Sequence, residues 1–343
     1  MSKRVLIRAD AGPSIGGGHV YRTSVLGAHL QSRGYKVFYA TRAESREAVP
    51  SLLSQGFEIV DVDPLAPPEE PDFLAEKIGS VDLFVLDHYQ RGIEFEQAVR
   101  PFSNTLLVLD DLPTRPHDCD VLLDQTLGRS ENEYSGLVPA GCRVMTGPSY
   151  ALLREQFAEA RRAGKCRKRR EVSRLLIMVG AGDASGILSW VLEALSSLDV
   201  ALEIEVVSNC TALSERHGKT LGSSRLSVHR YVSDMATLIA NADLAIGAAG
   251  SASWERCCLG LPALLFILAD NQRDVCAALH KSKAAINLGR FPGVTRDHFL
   301  SELLKLLNSE KLLSTLSENA ALLCDGRGAE RLLEHLSDEN RPF

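Results

Sequence analysis

The chain repeats one pattern twice: short apolar runs rich in β-branched residues alternate with stretches of helical period. In the first half "RVLIRAD", "KVFYAT", "FEIVDV", "VDLFVLDHY", "TLLVLDDL" and "CDVLLDQT" read as strands. "HVYRTSVLGAHLQSRG", closed by Gly34, and "SREAVPSLLSQG", interrupted by Pro50, read as helices. Strands that are apolar along their whole length are buried on both faces, and intervening helices supply the crossovers that a parallel sheet requires. The pattern pauses over residues 127–170, where "SYALLREQFAEARRAGKCRKRRE" reads as a helix tapering into a basic run. It restarts with "SRLLIMVG" and continues through "ALEIEVVSN", "RLSVHRY", "DLAIGAAG" and "PALLFIL", with helices between them. The expected class is α/β: two Rossmann-like doubly wound domains facing across a cleft. Residues 1–150 form the first domain and 151–343 the second, which ends in a helical tail.

Composition narrows the function classes. A formal net charge of -6 over 343 residues gives no support to a nucleic-acid surface. The basic run Arg161–Arg174 lacks interleaved aromatics and reads as a solvated linker rather than a site for a polyanion. The apolar run near the start is too short for a signal peptide, and "LGLPALLFILA" is interrupted by proline and too short to span a bilayer. The eight cysteines form no C-x-x-C pair and no zinc spacing. The expectation is a cytoplasmic, monomeric protein with reduced thiols, no metal and no cofactor.

In doubly wound folds the loops leaving strand ends build the site, and five such loops carry polar or glycine-rich sequence. Gly16, Gly17 and Gly18 run into His19, with Arg22 one turn further on. The glycines permit close approach of a ligand, yet neither a G-x-G-x-x-G turn nor a Walker sequence is present. "KVFYAT" ends at Thr41 without the acid that a dinucleotide site wants. His19, at a helix start where the dipole disfavours imidazolium, suits proton abstraction from water, or simply caps the helix. Asp87 and Tyr89 alternate at the end of a strand. Asp87 could orient an imidazole and Tyr89 could meet a sugar, against a plain loop cap beside a half-buried tyrosine. Asp110 and Asp111 read as turn caps or as functional carboxylates. In the second half, "VGAGDASG" with Gly182 and "IGAAGSASWE" with Gly250 and Ser251 offer amides and hydroxyls for phosphate oxygens. Glu255 suits the paired hydroxyls of a ribose, and Asn271 and Gln272 could reach sugar hydroxyls.

Taken together, "IRADAGPSIGGGHVYR", "LDDLPTRPHDCDVLLDQ", "LLREQF" and "DLAIGAAGSASWERCCLGLPAL" with "ADNQ" resemble the UDP-sugar hydrolases of pseudaminic acid biosynthesis. Their substrate is UDP-2,4-diacetamido-2,4,6-trideoxy-β-L-altropyranose, and they are related in fold to the GT-B glycosyltransferases. The resemblance spans roughly residues 3–290. It implies that His19, in a G-x-G-H-x-x-R pattern with Gly16, Gly18 and Arg22, accepts the proton of the attacking water. It also implies substrate contacts by Arg154, which stands ahead of Phe157, and by Glu255, with Ser251 and Trp254 in register. Tyr89 fits the family's D-H-Y stretch. One departure is Ala181 in "GAGD", where the family reads Gly-Gly-x-Asp. The implied reaction is metal-independent hydrolysis with inversion at the anomeric carbon. A GT-B transferase using a UDP-sugar donor and a non-catalytic nucleotide-sugar binding module remain the alternatives.

Overall fold

The computed structural model describes residues 2–12, 15–179, 186–208, 220–230 and 232–336. The chain divides into two compact units, residues 1–152 with 327–343, and residues 153–326.

The first unit is built on seven parallel strands: β1 (Arg4–Ala9), β2 (Lys36–Thr41), β3 (Glu58–Asp61), β4 (Val81–Asp87), β5 (Ser103–Leu109), β6 (Val121–Asp124) and β7 (Arg143–Thr146). They are ordered β3-β2-β1-β4-β5-β6-β7. Helices α1 (Gly18–Ser32), α2 (Ala43–Ala48), α3 (Glu70–Ile78) and α4 (Ile93–Val99) cross over between strands. Strand order reverses between β1 and β4, the place where open α/β sheets leave a crevice at their carboxyl ends. The core is split by the sheet as alternation demands: Val5, Ile7 and Ala9 of β1 pack on one face, Leu6 on the other. Sequence reading recovers β1–β6 and α1 but passes over α3, α4 and β7.

With one short edge strand set aside, the second unit repeats the order of the first six strands. Helix α5 (Glu155–Arg162) precedes β8 (Arg174–Met178), α6 (Ile187–Leu195), β9 (Glu203–Val207), β10 (Thr220–Leu221) and β11 (Ser224–His229). Then follow α7 (Met235–Asn241), β12 (Leu244–Ala248), α8 (Ala252–Cys258), β13 (Ala263–Ile267), α9 (Arg273–Lys281) and β14 (Ala285–Arg290). Two further helices, α10 (Arg296–Leu307) and α11 (Glu310–Leu323), close the unit. The sheet runs β10-β11-β9-β8-β12-β13-β14, parallel except for the β10–β11 pair. Its order reverses between β8 and β12. Among the described residues no helix is long and apolar enough to cross a membrane.

The tail departs from the sequence reading, which gives all of 151–343 to the second domain. The last helix, α12 (Gly328–Leu336), belongs to the first unit. Leu332, Leu333 and Leu336 are buried in the same cluster as Val5, Ile7 and Val20. Gly328 permits the contact, since a Cβ there would stand 2.3 Å from the Ala151 carbonyl oxygen. Arg331 Nη1 donates to the Ser149 carbonyl at 2.7 Å, and Arg143 Nη1 to that of His335 at 2.7 Å. A helical period shows that a segment has an apolar face, not which core receives it.

The basic run is not a solvated linker either. Arg169 is fully buried, donating to the carbonyls of Ile239, Ala240 and Ala242 at the end of α7 and to that of Leu259 after α8. Arg161 donates to the Cys258 carbonyl at 2.7 Å and the Ala321 carbonyl at 2.9 Å. The last carbonyls of a helix lack intrahelical partners and carry the negative end of its dipole. The run thus pins helix ends to one another.

Two buried ion clusters stiffen the first unit. Arg8, wholly buried in β1, bonds Glu70 through Nε at 2.8 Å and Nη2 at 3.0 Å and pairs with Asp10 at 2.7 Å. Arg91 closes on the same Glu70, and His88 faces Asp10 at 3.2 Å. In the second cluster His117 lies between Glu96 (2.7 Å) and Asp110 (2.9 Å), all three buried. Burial pushes the imidazole down, but the two carboxylates outweigh it and raise His117 to about 9. The folded state therefore keeps a proton that the unfolded chain releases near its ordinary 6.5. This stabilisation is complete below pH 6.5 and is lost as pH rises through about 9, with a slope of about 1.4 kcal/mol per pH unit between. Denaturant unfolding of wild type and His117→Asn across that window tests it: only the wild type should show the decline. Parallel pH curves would remove the ion triad.

Candidate functional site

The first group of site residues gathers where strand order reverses between β1 and β4. His19 is the second residue of α1, which opens at Gly17 with no side-chain cap and no acidic residue in its first turn. Asp87 ends β4 on the neighbouring strand. His19 Nδ1 and Asp87 Oδ1 stand 2.6 Å apart, with His19 8% exposed and Asp87 1%. Arg22, one turn along α1, donates from Nε to Asp87 Oδ2 at 2.6 Å and from Nη2 to Oδ1 at 2.7 Å. Burial pushes the Asp87 carboxyl up, but Arg22 and His19 outweigh it and hold it well below the usual carboxylate range. An ionised Asp87 accepts only, so Nδ1 donates to it, and in the neutral ring Nε2 is the acceptor. His19 makes no side-chain cap to α1.

Tyr89 lies edge-on to the His19 ring at 4.8 Å between centroids, an interplanar angle of 89°. Its hydroxyl donates to Asp111 Oδ1 at 2.6 Å, and Arg22 Nη1 donates to Asp111 Oδ2 at 3.3 Å. His19, Arg22, Asp87, Tyr89 and Asp111 thus form one hydrogen-bonded group. Strand alternation sends the intervening His88 to the other side, against Asp10 and Arg91. The two aspartates left open by the sequence separate. Asp111 joins this hydrogen-bonded group, whereas Asp110 is 1% exposed and takes Arg115 and His117. Of the glycines, Gly16 has φ +72°, which a side chain would strain, and exchanges backbone bonds with Gly12 at 2.7 and 3.2 Å.

The second group lies in the second unit. Arg154 Nη2 donates to Glu255 Oε1 at 3.2 Å, bringing together two residues far apart in sequence. Burial raises the Glu255 carboxyl above its ordinary value, with Arg154 offsetting part of the effect. Gly250 and Ser251 form the turn between β12 and α8. Gln272 approaches this turn, its Nε2 3.9 Å from where a Gly250 Cβ would stand, while its Oε1 accepts from Leu268 N at 2.9 Å. Asn271 is exposed on the short 3-10 helix Asp270–Gln272. Gly182, with the rest of "GAGD", lies outside the described residues. Sequence reading missed Arg256, which is 1% exposed beneath the same turn. Its signal was only a charged residue on the inner face of a helix.

The pairing fixes a measurable tautomer. In wild-type protein the ¹⁵N spectrum of His19 should show Nδ1 protonated and Nε2 bare. Asp87→Asn, which places an amide against Nδ1, should shift the population toward Nε2–H. A wild-type spectrum dominated by Nε2–H would remove the proposed orientation of the ring.

Residues 174–323 match the glycosyltransferase family 28 C-terminal domain. The chain is 27% identical over 169 residues to the UDP-2,4-diacetamido-2,4,6-trideoxy-beta-L-altropyranose hydrolase of Campylobacter jejuni, a match covering 48% of this chain. The chain spans little more than half of that relative, 57% of its length. It is 22% identical over 340 residues to the spore coat polysaccharide biosynthesis protein SpsG of Bacillus subtilis, covering 97% of both. Among solved structures, MurG of Acinetobacter baumannii superposes with a TM-score of 0.67 at 18% identity, over 97% of this chain and 99% of that one. The chain has a fold of GT-B type with two Rossmann-like units, and the second carries the match to the glycosyltransferase family 28 C-terminal domain.

Proposed function

We propose that the protein hydrolyses a UDP-sugar to UDP and free sugar, with UDP-2,4-diacetamido-2,4,6-trideoxy-β-L-altropyranose as the substrate. The observation that carries this reading is the His19–Asp87 contact of 2.6 Å at the uncapped start of α1, which makes Nε2 the proton acceptor of the neutral ring. His19 Nε2 takes a proton from water as the water oxygen bonds to the anomeric carbon. The bond from that carbon to the β-phosphate oxygen breaks, and its electron pair leaves on UDP. One displacement gives inversion. The imidazolium that forms is stabilised by Asp87, which Arg22 keeps ionised. Tyr89, beside the ring and tied to Asp111, is placed to contact the sugar. In the second unit Glu255 accepts from the ribose hydroxyls, Arg154 contacts the substrate, and the Gly250–Ser251 turn meets phosphate oxygens. The sugar assignment is supported by the motifs of the first subsection and by the hydrolase relative.

The family 28 domain match favours a second reading, in which a sugar or lipid hydroxyl replaces water as acceptor. A product assay separates them: free sugar formed without added acceptor supports hydrolysis, and strict acceptor dependence supports transfer. Release of UDP from a panel of UDP-sugars tests the substrate, and preference for another sugar would overturn that part alone.

Two variants test the division of labour. His19→Ala should lower kcat by roughly 10²–10⁴-fold while leaving the Kd for UDP nearly unchanged. Unaltered turnover would exclude His19 as the base. Glu255→Gln should weaken UDP binding by about 1.5–3 kcal/mol through loss of charge-assisted bonds. If it slows only the chemical step, Glu255 is catalytic and His19 needs another role.

A further inference from the structure

Arg256 is buried beside Glu255, only 1% exposed, yet makes no salt bridge to a carboxylate among the described residues. Its Nη2 donates to the Ala248 carbonyl at 2.8 Å and to Ser253 Oγ at 3.0 Å, clasping the turn between β12 and α8 from both ends. Its Nη1 is buried with no hydrogen-bond partner among the described residues. The position of that nitrogen is informative. A Cβ on Gly247 would stand 3.0 Å from Nη1 and 2.5 Å from the Met178 carbonyl oxygen. Gly247 and Met178 are the partners at the last rung between β12 and β8. The spare N–H therefore lies at the carboxyl ends of the two strands where the order of the second sheet reverses, and the absence of a side chain at 247 makes room for it.

A buried guanidinium with an unmade bond is costly, and burial pulls its pKa down to about 10, with Cys257 and Glu255 offsetting part of the effect. Helix-end carbonyls satisfy Arg169, which is also buried in this unit, through all three of its nitrogens. Arg256 has no such set. Its planar fork grips a turn carbonyl and a hydroxyl through Nη2 and leaves Nη1 buried at the strand ends, its charge close beneath the turn.

We propose that Arg256 is the positioning residue of the diphosphate subsite, holding the Ala248–Ser253 turn in shape and supplying a fixed positive charge beneath the phosphates. The proposal rests on the nucleotide-sugar reading above and adds the source of charge that recognises the diphosphate. It acts through the turn and its field, so it discriminates phosphorylated from unphosphorylated nucleosides.

The test compares the affinities of UDP and uridine, by calorimetry and competition, for wild type, Arg256→Met and Arg256→Lys. Arg256→Met should weaken UDP roughly tenfold or more while uridine changes little. Arg256→Lys, which keeps the charge but cannot make both bonds to the turn, should fall between. A strut that merely supports the fold would lower Tm and weaken both ligands together, and an unchanged UDP-to-uridine ratio overturns the proposal. If Arg256→Met does not fold, Arg256→Lys decides: equal losses for the two ligands overturn it, and a loss confined to UDP supports it. A wild type that binds no UDP overturns the nucleotide-sugar reading and this proposal with it. A wild type that binds UDP, with variants of unchanged ratio, overturns only the role of Arg256.

Discussion

The chemistry of the first unit depends on one buried carboxylate. Asp87 would be expensive to ionise where it lies, and two bonds from Arg22 at 2.6 and 2.7 Å make it the stable form. Once ionised it accepts from His19 and dictates which ring nitrogen carries the proton. The arrangement follows from topology. Because β1 and β4 are neighbours of opposite onward direction, the start of α1 and the end of β4 meet at one place. His19 and Arg22 need only a separation of three residues on α1, and Asp87 only the last position of β4. Shifting the register of β4 by one residue would turn Asp87 to the opposite face, away from His19 and Arg22.

Arginine does a different task in each setting. In the first unit Arg8 and Arg91 share Glu70, and Arg8 also pairs with Asp10, filling the region near the β1 and β2 ends with fixed charge. Thr41, where a dinucleotide fold would carry an acid, instead donates to Asp10 at 3.1 Å. In the second unit Arg161 and Arg169 bond main-chain carbonyls, joining helix ends that no short loop connects. A lysine could not replace them, since a single ammonium cannot span several carbonyls in a plane. A run that looks like a charged linker is therefore a set of tethers.

Much of this was legible in the sequence, for identifiable reasons. Uninterrupted apolar runs such as "RVLIRA" and "DLAIGA" announce strands buried on both faces, and their alternation with helices leaves few topologies open. Glycine before a histidine at a strand–helix junction marks a site because loops at strand ends carry function. β7 was missed because Arg143–Thr146 has only two apolar residues and forms a sheet edge. Helix α3 was missed because Pro71 and several acids hide its period, although Leu74 and Ile78 are buried. Asp110 and Asp111 are adjacent in sequence and differ only in direction, which no composition reveals. The charge on Arg256 was invisible for the same reason: a surface arginine and a buried one are the same letter.

The Arg154–Glu255 pair adds a constraint on ligand entry. Arg154 is 38% exposed and Glu255 18%, so solvent screens their attraction, and such a pair contributes at most about 1 kcal/mol. Burial nonetheless raises the Glu255 carboxyl, so the carboxylate gains from any partner that stays in place. Paired hydroxyls of a ribose offer two donors in fixed geometry without adding charge, whereas Arg154 offers one bond at 3.2 Å. An incoming diphosphate would in turn attract Arg154. Under the nucleotide-sugar reading, one ligand rewards both members of the pair for separating, the carboxylate by its sugar end and the guanidinium by its phosphate end. A ligand bearing only one of these groups leaves the other residue unpaired. On that reading the pair would favour the whole nucleotide over either fragment, a selectivity that neither residue would provide alone.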